Sequence, residues 1–221
     1  NAAFVVLIAE EVLDRSLFPS VRFYMLALAF FIIVLLSRGF LPALRLGKSL
    51  TVWRVSPLWY PAAVLWPIFM CVTFVAGKSL VTGGDLQIFS DDVDILTRRR
   101  LVISNVIATL VGEIVWISYA VGNFSRFYHR VTAVLLTGTV WFLWFAPMSY
   151  FQIGTYPGMS FLAFWMLMVG AVCYCLFFYT LTGSGIVVFC MQMSFNMSAL
   201  AFPVLPTNGG GPIGFTAFAF F

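Results

Sequence analysis

The sequence predicts an all-α fold, a bundle of six to eight membrane-spanning helices in one integral membrane domain over residues 1–221. Three observations support this prediction. Hydrophobic residues make up 62% of the chain and charged residues only 9%. No Lys, Arg, Asp or Glu follows Arg130. The remaining charges fall mostly in short connections between apolar runs, as topology rules expect for a membrane protein.

Six apolar runs have about the length that crosses a bilayer core, for which roughly 20 residues suffice. They are residues 23–36 (extending toward 40), 58–76, 101–121, 131–150, 159–181 and 186–205. Two shorter runs, 213–221 and 2–8, bring the expected range to between six and eight spans. We expect both termini to be incomplete, because the sequence starts without Met and stops within an apolar run.

Basic residues predict the orientation. Arg38, Arg45, Lys48 and Arg54 lie in one connection without an acidic residue. Positive charge is enriched in cytoplasmic loops, so the 38–54 connection is predicted to be cytoplasmic, and counting spans places the basic 122–130 connection on the same side. We therefore expect an integral protein of a prokaryotic inner (cytoplasmic) membrane, with lipids and other integral membrane proteins as partners and no nucleic acid.

Glu113 is an acidic residue in the middle of a predicted span. An ionisable group at that depth costs roughly 2.5–3.5 kcal/mol and is a functional-site hypothesis by default. Thr109 and Asn105 precede it at four-residue steps, so the three share a helix face. We expect Glu113 to be protonated, or to be held by Asn196 or Gln192 through hydrogen bonds between helices.

Residues 112–119, 141–147 and 192–196 each carry a short pattern of polar and aromatic residues within a predicted span. In this order they resemble the three motifs of the CAAX protease and bacteriocin-processing (CPBP, or Abi) family of intramembrane metalloproteases. Residues 112–119 read Gly-Glu-Ile-Val-Trp-Ile-Ser-Tyr, and resemble the first motif, two glutamates followed after three residues by Arg, often with Trp before it. Residues 141–147, Trp-Phe-Leu-Trp-Phe-Ala-Pro, resemble the second, an aromatic followed four positions later by His. Residues 192–196, Gln-Met-Ser-Phe-Asn, resemble the third, His followed four positions later by Asn or Asp. The resemblance covers residues 101–205.

The resemblance implies a CPBP-like fold whose protease site has decayed. Glu113 keeps the second glutamate, Trp116 the tryptophan and Asn196 the asparagine, whereas Phe145 and Gln192 stand where the family has histidines. These five residues form a vestigial site. Metal-assisted hydrolysis generally needs three protein ligands, so we predict no catalytic residues and no metal ligands.

Other candidate residues favour a structural interpretation. Glu10, Glu11 and Arg15 match the first motif literally, but they precede two spans, and Glu11 and Arg15 also have the ordinary spacing of a helix ion pair. His129 is the only histidine and lies among basic residues, where a membrane-interface position is favoured. The four cysteines have no zinc-site or disulfide spacing.

The predicted function is that of a catalytically inactive scaffold or accessory subunit of a larger membrane complex, for which an energy-converting or pigment-containing assembly is one setting. An intramembrane protease or hydrolase with an atypical site is the first alternative, and a small-molecule or lipid transporter is the second. No cofactor is predicted, although a bound lipid or pigment stays open.

Overall fold

The computed structural model describes residues 18–90, 99–150 and 158–221, which form helices and connections without a strand. The helices are α1 (Phe18–Arg38), α2 (Phe40–Leu44), α3 (Trp59–Thr82), α4 (Arg99–Gly112), α5 (Gly122–Phe127), α6 (Arg130–Tyr150), α7 (Phe161–Thr182), α8 (Gly185–Ala201) and α9 (Gly211–Phe220). Two short 3₁₀ helices, Lys48–Thr51 and Pro206–Asn208, lie in connections. A π-helix, Glu113–Val121, joins α4 to α5.

Five helices in the described ranges are long and apolar enough to cross a membrane: Val21–Arg38, Trp59–Thr82, Val102–Phe127, Arg130–Tyr150 and Phe161–Thr182. The protein therefore has the helices of an integral membrane protein. They coincide with the first five spans predicted from the sequence. The predicted count of six to eight is not confirmed, because the sixth run forms the 17-residue helix α8 and the seventh forms the 10-residue helix α9. Residues 2–8 lie outside the described residues.

The end of α8 has a local cause. The apolar run continues to Leu205, but the helix stops at Ala201 and Phe202 is extended, with φ −97° and ψ 148°. Pro203 follows, and the residue before a proline is disfavoured in the α region. Hydropathy does not record this restriction, which is why the predicted span was longer than the helix.

Helices α6 and α7 pack closely at a glycine. A Cβ atom on Gly138 would lie 2.7 Å from the Cα of Val169, so only glycine permits this approach. The indole Nε1 of Trp165 in α7 donates a hydrogen bond of 2.9 Å to the Thr139 hydroxyl in α6. Small residues at such contacts are typical of helix packing in membranes.

The two basic connections lie at one end of the bundle. The Arg38 guanidinium donates a 3.0 Å hydrogen bond to the Asn123 side-chain oxygen and lies 5.1 Å from the centre of the Tyr119 ring. The predicted connection at 122–130 is shorter than expected, because the helix continues through Gly122–Phe127 and only Tyr128 and His129 separate α5 from α6.

Candidate functional site

The π-helix places Ser118 beside Glu113. In an α-helix, residues five apart point about 140° away from each other, since each residue turns the chain by about 100°. The wider π turn brings residues at this spacing onto one face, and the Ser118 hydroxyl donates a short hydrogen bond to Glu113 Oε1. Such π segments are frequent at functional sites. The local backbone thus gives the carboxyl a partner from its own helix.

A second hydroxyl reaches the same carboxyl from the connection between α2 and α3. Ser49 Oγ lies 3.1 Å from Glu113 Oε1 and 3.3 Å from Oε2, and 2.8 Å from the Ser118 hydroxyl. Each serine has one proton to donate. The three groups form a closed hydrogen-bonded set, here called the Glu113 cluster (Ser49, Glu113, Ser118), and Glu113 itself is 0% exposed.

The first turn of α8 packs directly against the Glu113 cluster. A Cβ atom on Gly185 would lie 2.6 Å from Glu113 Oε1 and 2.7 Å from Ser49 Oγ, so glycine is what allows the helix to begin there. Ser184 caps α8 by accepting a hydrogen bond from the Val187 amide, and its hydroxyl donates to the Val52 carbonyl. A carboxyl beside a helix N-terminus is favourably placed for the helix dipole.

The predicted partners of Glu113 were wrong. Asn196 donates its amide hydrogen bond of 3.2 Å to the Thr109 hydroxyl, on α4 rather than on the π-helix. Gln192 comes close to Gly112, where its Oε1 lies 3.4 Å from the position of a Cβ atom. Antiparallel packing of α8 on α4 places these amides on neighbouring turns, while serines hold Glu113.

Three buried N–H groups have no hydrogen-bond acceptor in the described part of the chain: Gln192 Nε2, Trp116 Nε1 and Trp141 Nε1. The side chains of all three approach the position of a Cβ atom on Gly112 to within 3.4–3.9 Å. The two indole rings are stacked, with centroids 6.1 Å apart. Gly112 is therefore enclosed by two indole rings and the Gln192 amide, whose oxygen is the nearest atom to its Cβ position.

Phe145 lies in an aromatic cluster. Its ring centre is 4.9 Å from that of Trp144 and 5.9 Å from that of Phe164. The guanidinium of Arg22, which is only 7% exposed, lies 4.4 Å from the Phe145 ring centre and 4.7 Å from that of Trp144. Trp144 also contacts Trp116, with ring centres 6.3 Å apart. The second-motif position thus carries packing and a cation–π contact.

Arg22 is another charged residue that lies buried within a candidate membrane span. It precedes the predicted 23–36 span by one residue, whereas the structure includes it in α1. Ser49 and Gly185 were also missed, since both lie in or beside connections that hydropathy assigns to the surface. The pair Gly183 and Gly185, on either side of Ser184, was the one available turn signal.

No group of three or more His, Cys, Asp or Glu side chains among the described residues is arranged to hold a metal ion. His129 is exposed and accepts a 3.4 Å hydrogen bond from the Val131 amide at the start of α6. Glu10, Glu11 and Arg15 lie outside the described residues.

Comparison with protein-family models, with curated proteins and with solved structures finds no match to this chain. The resemblance to the CPBP family therefore stays a prediction from the three motifs. The geometry of the five vestigial residues is independent of it. Trp116, Gln192 and Phe145 are connected through the indoles of Trp141 and Trp144, while Asn196 lies apart on Thr109.

Proposed function

We propose that this chain is a non-catalytic, CPBP-like membrane protein that serves as a scaffold or accessory subunit of a larger membrane complex. The observation that supports it best is the Glu113 cluster. A carboxyl at membrane depth is a candidate catalytic acid, but this one is 0% exposed and is occupied by hydroxyls from two separate elements. Its role is to hold the 3₁₀ helix, the π-helix and α8 together.

A general acid or base must come within about 2.6–3.2 Å of the proton that it transfers. The first turn of α8 and the two serines take up the space around the Glu113 oxygens. Phe145 has no lone pair to offer and packs against other rings, and Gln192 offers only a neutral amide. These side chains favour packing over hydrolysis.

The outer surface supports a role in assembly. Helix α1 has 17% of its residues buried, against 28% to 39% for the apolar windows of the other four candidate spans. Leu28, Ile33 and Leu36 of α1 are 55%, 61% and 81% exposed within the described structure. Lipid or another membrane protein can cover such a face, and a partner helix is the occupant that the proposed role requires.

A hydrolase with an atypical site is the second candidate, and one observation favours it. The N–H groups of Gln192, Trp116 and Trp141 have no acceptor in the described residues, and the three side chains approach Gly112, which precedes Glu113 in the chain. Fixed donors of this kind stabilise negative charge that develops on an oxygen during acyl transfer. In this alternative, Glu113 would act with a group supplied by a partner chain.

Glu113→Gln separates the two candidates. The side chains have the same size, and the amide oxygen still accepts a hydrogen bond from Ser49 or Ser118. The proposed function predicts that purified wild type and variant give the same peptide-hydrolysis background on membrane-embedded peptides, and that neither carries a stoichiometric metal. Hydrolysis by the wild type that disappears in the variant would establish the enzyme instead.

A further inference from the structure

A partly open apolar cavity of about 610 Å³ is lined by residues that do not include any member of the Glu113 cluster. Its walls come from the first turns of α6, the middle of α7 and the last turn of α9, with Met70 of α3 and Phe195 of α8 completing them. The volume is within the range of roughly 300–1,000 Å³ typical of small-molecule sites. We refer to this cavity as the Arg130 groove.

Arg130 is the only charged residue in the lining of the groove. It is the first residue of α6 and of a candidate membrane span, and the end of such a span is where lipid headgroups are expected. The side chain is exposed, and no hydrogen bond or ion pair within the described ranges occupies it. A cation at the mouth of an apolar groove suits a ligand with an anionic head and a hydrocarbon body.

The wall of the groove formed by α6 and α7 leaves room for an acyl chain. Gly170, in the middle of α7, has no heavy atom within 4 Å of the position of a Cβ atom. Val134 and Leu135 of α6 continue the apolar wall from the Arg130 end. The groove therefore extends from a basic mouth toward the middle of a membrane-spanning helix.

We propose that the Arg130 groove binds one anionic phospholipid, with its phosphate at Arg130 and an acyl chain along α6 and α7 past Gly170. Basic pockets between membrane helices recognise anionic headgroups in this way. A zwitterionic lipid offers the same hydrocarbon but carries no net charge, so the groove should distinguish the two by charge. The proposal does not depend on the assembly role.

The test uses the full chain, reconstituted in vesicles of phosphatidylglycerol and phosphatidylcholine in equal amounts, extracted in mild detergent and weighed intact by native mass spectrometry. One retained phosphatidylglycerol per chain is expected, favoured about fivefold over phosphatidylcholine. Arg130→Gln should abolish this preference. Arg126→Gln is the matched control, since it removes the same charge from the same end of the bundle outside the groove lining.

A second variant tests the hydrocarbon part. Gly170 lines the groove and has open space around its Cβ position, so Gly170→Leu should reduce retention of both lipids, whereas Gly122→Leu, at another open helix position outside the groove lining, should not. The unfolding temperature of each variant shows that it is folded. Equal effects of Arg130→Gln and Arg126→Gln would overturn the proposal. So would retention of both lipids by Gly170→Leu, or a co-purifying pigment that this variant displaces.

Discussion

Glu113 is the residue on which the energetics of the site depend. Placing an ionisable side chain at membrane depth costs roughly 2.5–3.5 kcal/mol. Hydrogen bonds in membrane proteins stabilise by about 0.6 kcal/mol each, and the helix N-terminus adds about 0.3–1 kcal/mol. Two serine hydroxyls and the start of α8 therefore offset roughly half of the cost or more. Packing of the surrounding helices must supply the remaining stabilisation.

Removing one serine tests whether the hydrogen bond between Ser118 and Glu113 stabilises the protein. Ser118→Ala should lower the free energy of unfolding by about 1 kcal/mol, because it leaves a buried carboxyl with one donor fewer. In a Glu113→Leu background the same substitution should cost clearly less, since only the Ser49 hydroxyl is left as a partner for Ser118. Unfolding in detergent, followed by circular dichroism, measures both values.

Ser125→Ala is the control for this pair, because Ser125 is exposed on α5 and has no hydrogen bond to the cluster. If Ser118→Ala costs as much with Leu at position 113 as with Glu, the serine stabilises the fold by some other contact. The Glu113 cluster would then be a coincidence of packing.

At the residue scale, the sequence singled out Glu113 but did not indicate which side chains surround it. A lone glutamate in an apolar run was evident, and Trp116 and Gln192 were predicted to belong to the same vestigial site. Ser49 was not, because a serine in a basic connection has no signal that it folds back onto a helix 64 residues later. Contacts of that kind depend on tertiary packing, which neither composition nor periodicity records.

For the helices, hydropathy predicts the approximate limits of each span but not the type of helix within it. Burial in lipid fixes the apolar runs, so α1, α3, α6 and α7 begin and end within several residues of the predicted limits. The backbone hydrogen-bond pattern is a different property, and the π-helix Glu113–Val121 has no hydropathy signature. It nevertheless decides which side chain faces Glu113.

The contact between α6 and α7 gives a prediction at this scale. Gly138→Ala should destabilise the protein by about 1–3 kcal/mol, because the new methyl group would press on the Val169 backbone and force the helices apart. Gly170→Ala is the matched control on the facing helix, where the methyl group meets open space and the higher helix propensity of alanine applies.

Unfolding temperatures of the two glycine variants, measured in the same detergent, separate helix propensity from packing. A Gly138→Ala protein as stable as Gly170→Ala would show that α6 and α7 have freedom to move apart. The close approach of the two helices would then contribute little to the stability of the bundle.

At the scale of the whole molecule, the bundle has one end with basic connections and an opposite end that includes residues 83–90. The Arg38 to Asn123 hydrogen bond places the 38–54 connection and α5 together. Helix α3 separates that end from Gly83. Positive residues are retained on the cytoplasmic side, which predicts the orientation in the membrane.

Cysteine labelling tests this orientation. In a background without the native cysteines, Ser125→Cys and Lys48→Cys should react with a membrane-impermeant maleimide only after the cytoplasmic face is opened. Asp85→Cys should react in intact cells, because it follows α3 on the other side. The reverse pattern would mean that the basic connections are external.

Extraction from native membranes tests whether the chain is an accessory subunit of a larger complex. The full chain is solubilised in mild detergent, separated by size under native conditions, and the proteins that travel with it are identified and quantified by mass spectrometry. We predict a particle larger than the monomer that contains other integral membrane proteins in fixed proportion to this chain. Recovery of the chain alone, at the size of one copy in its detergent micelle, would contradict the account.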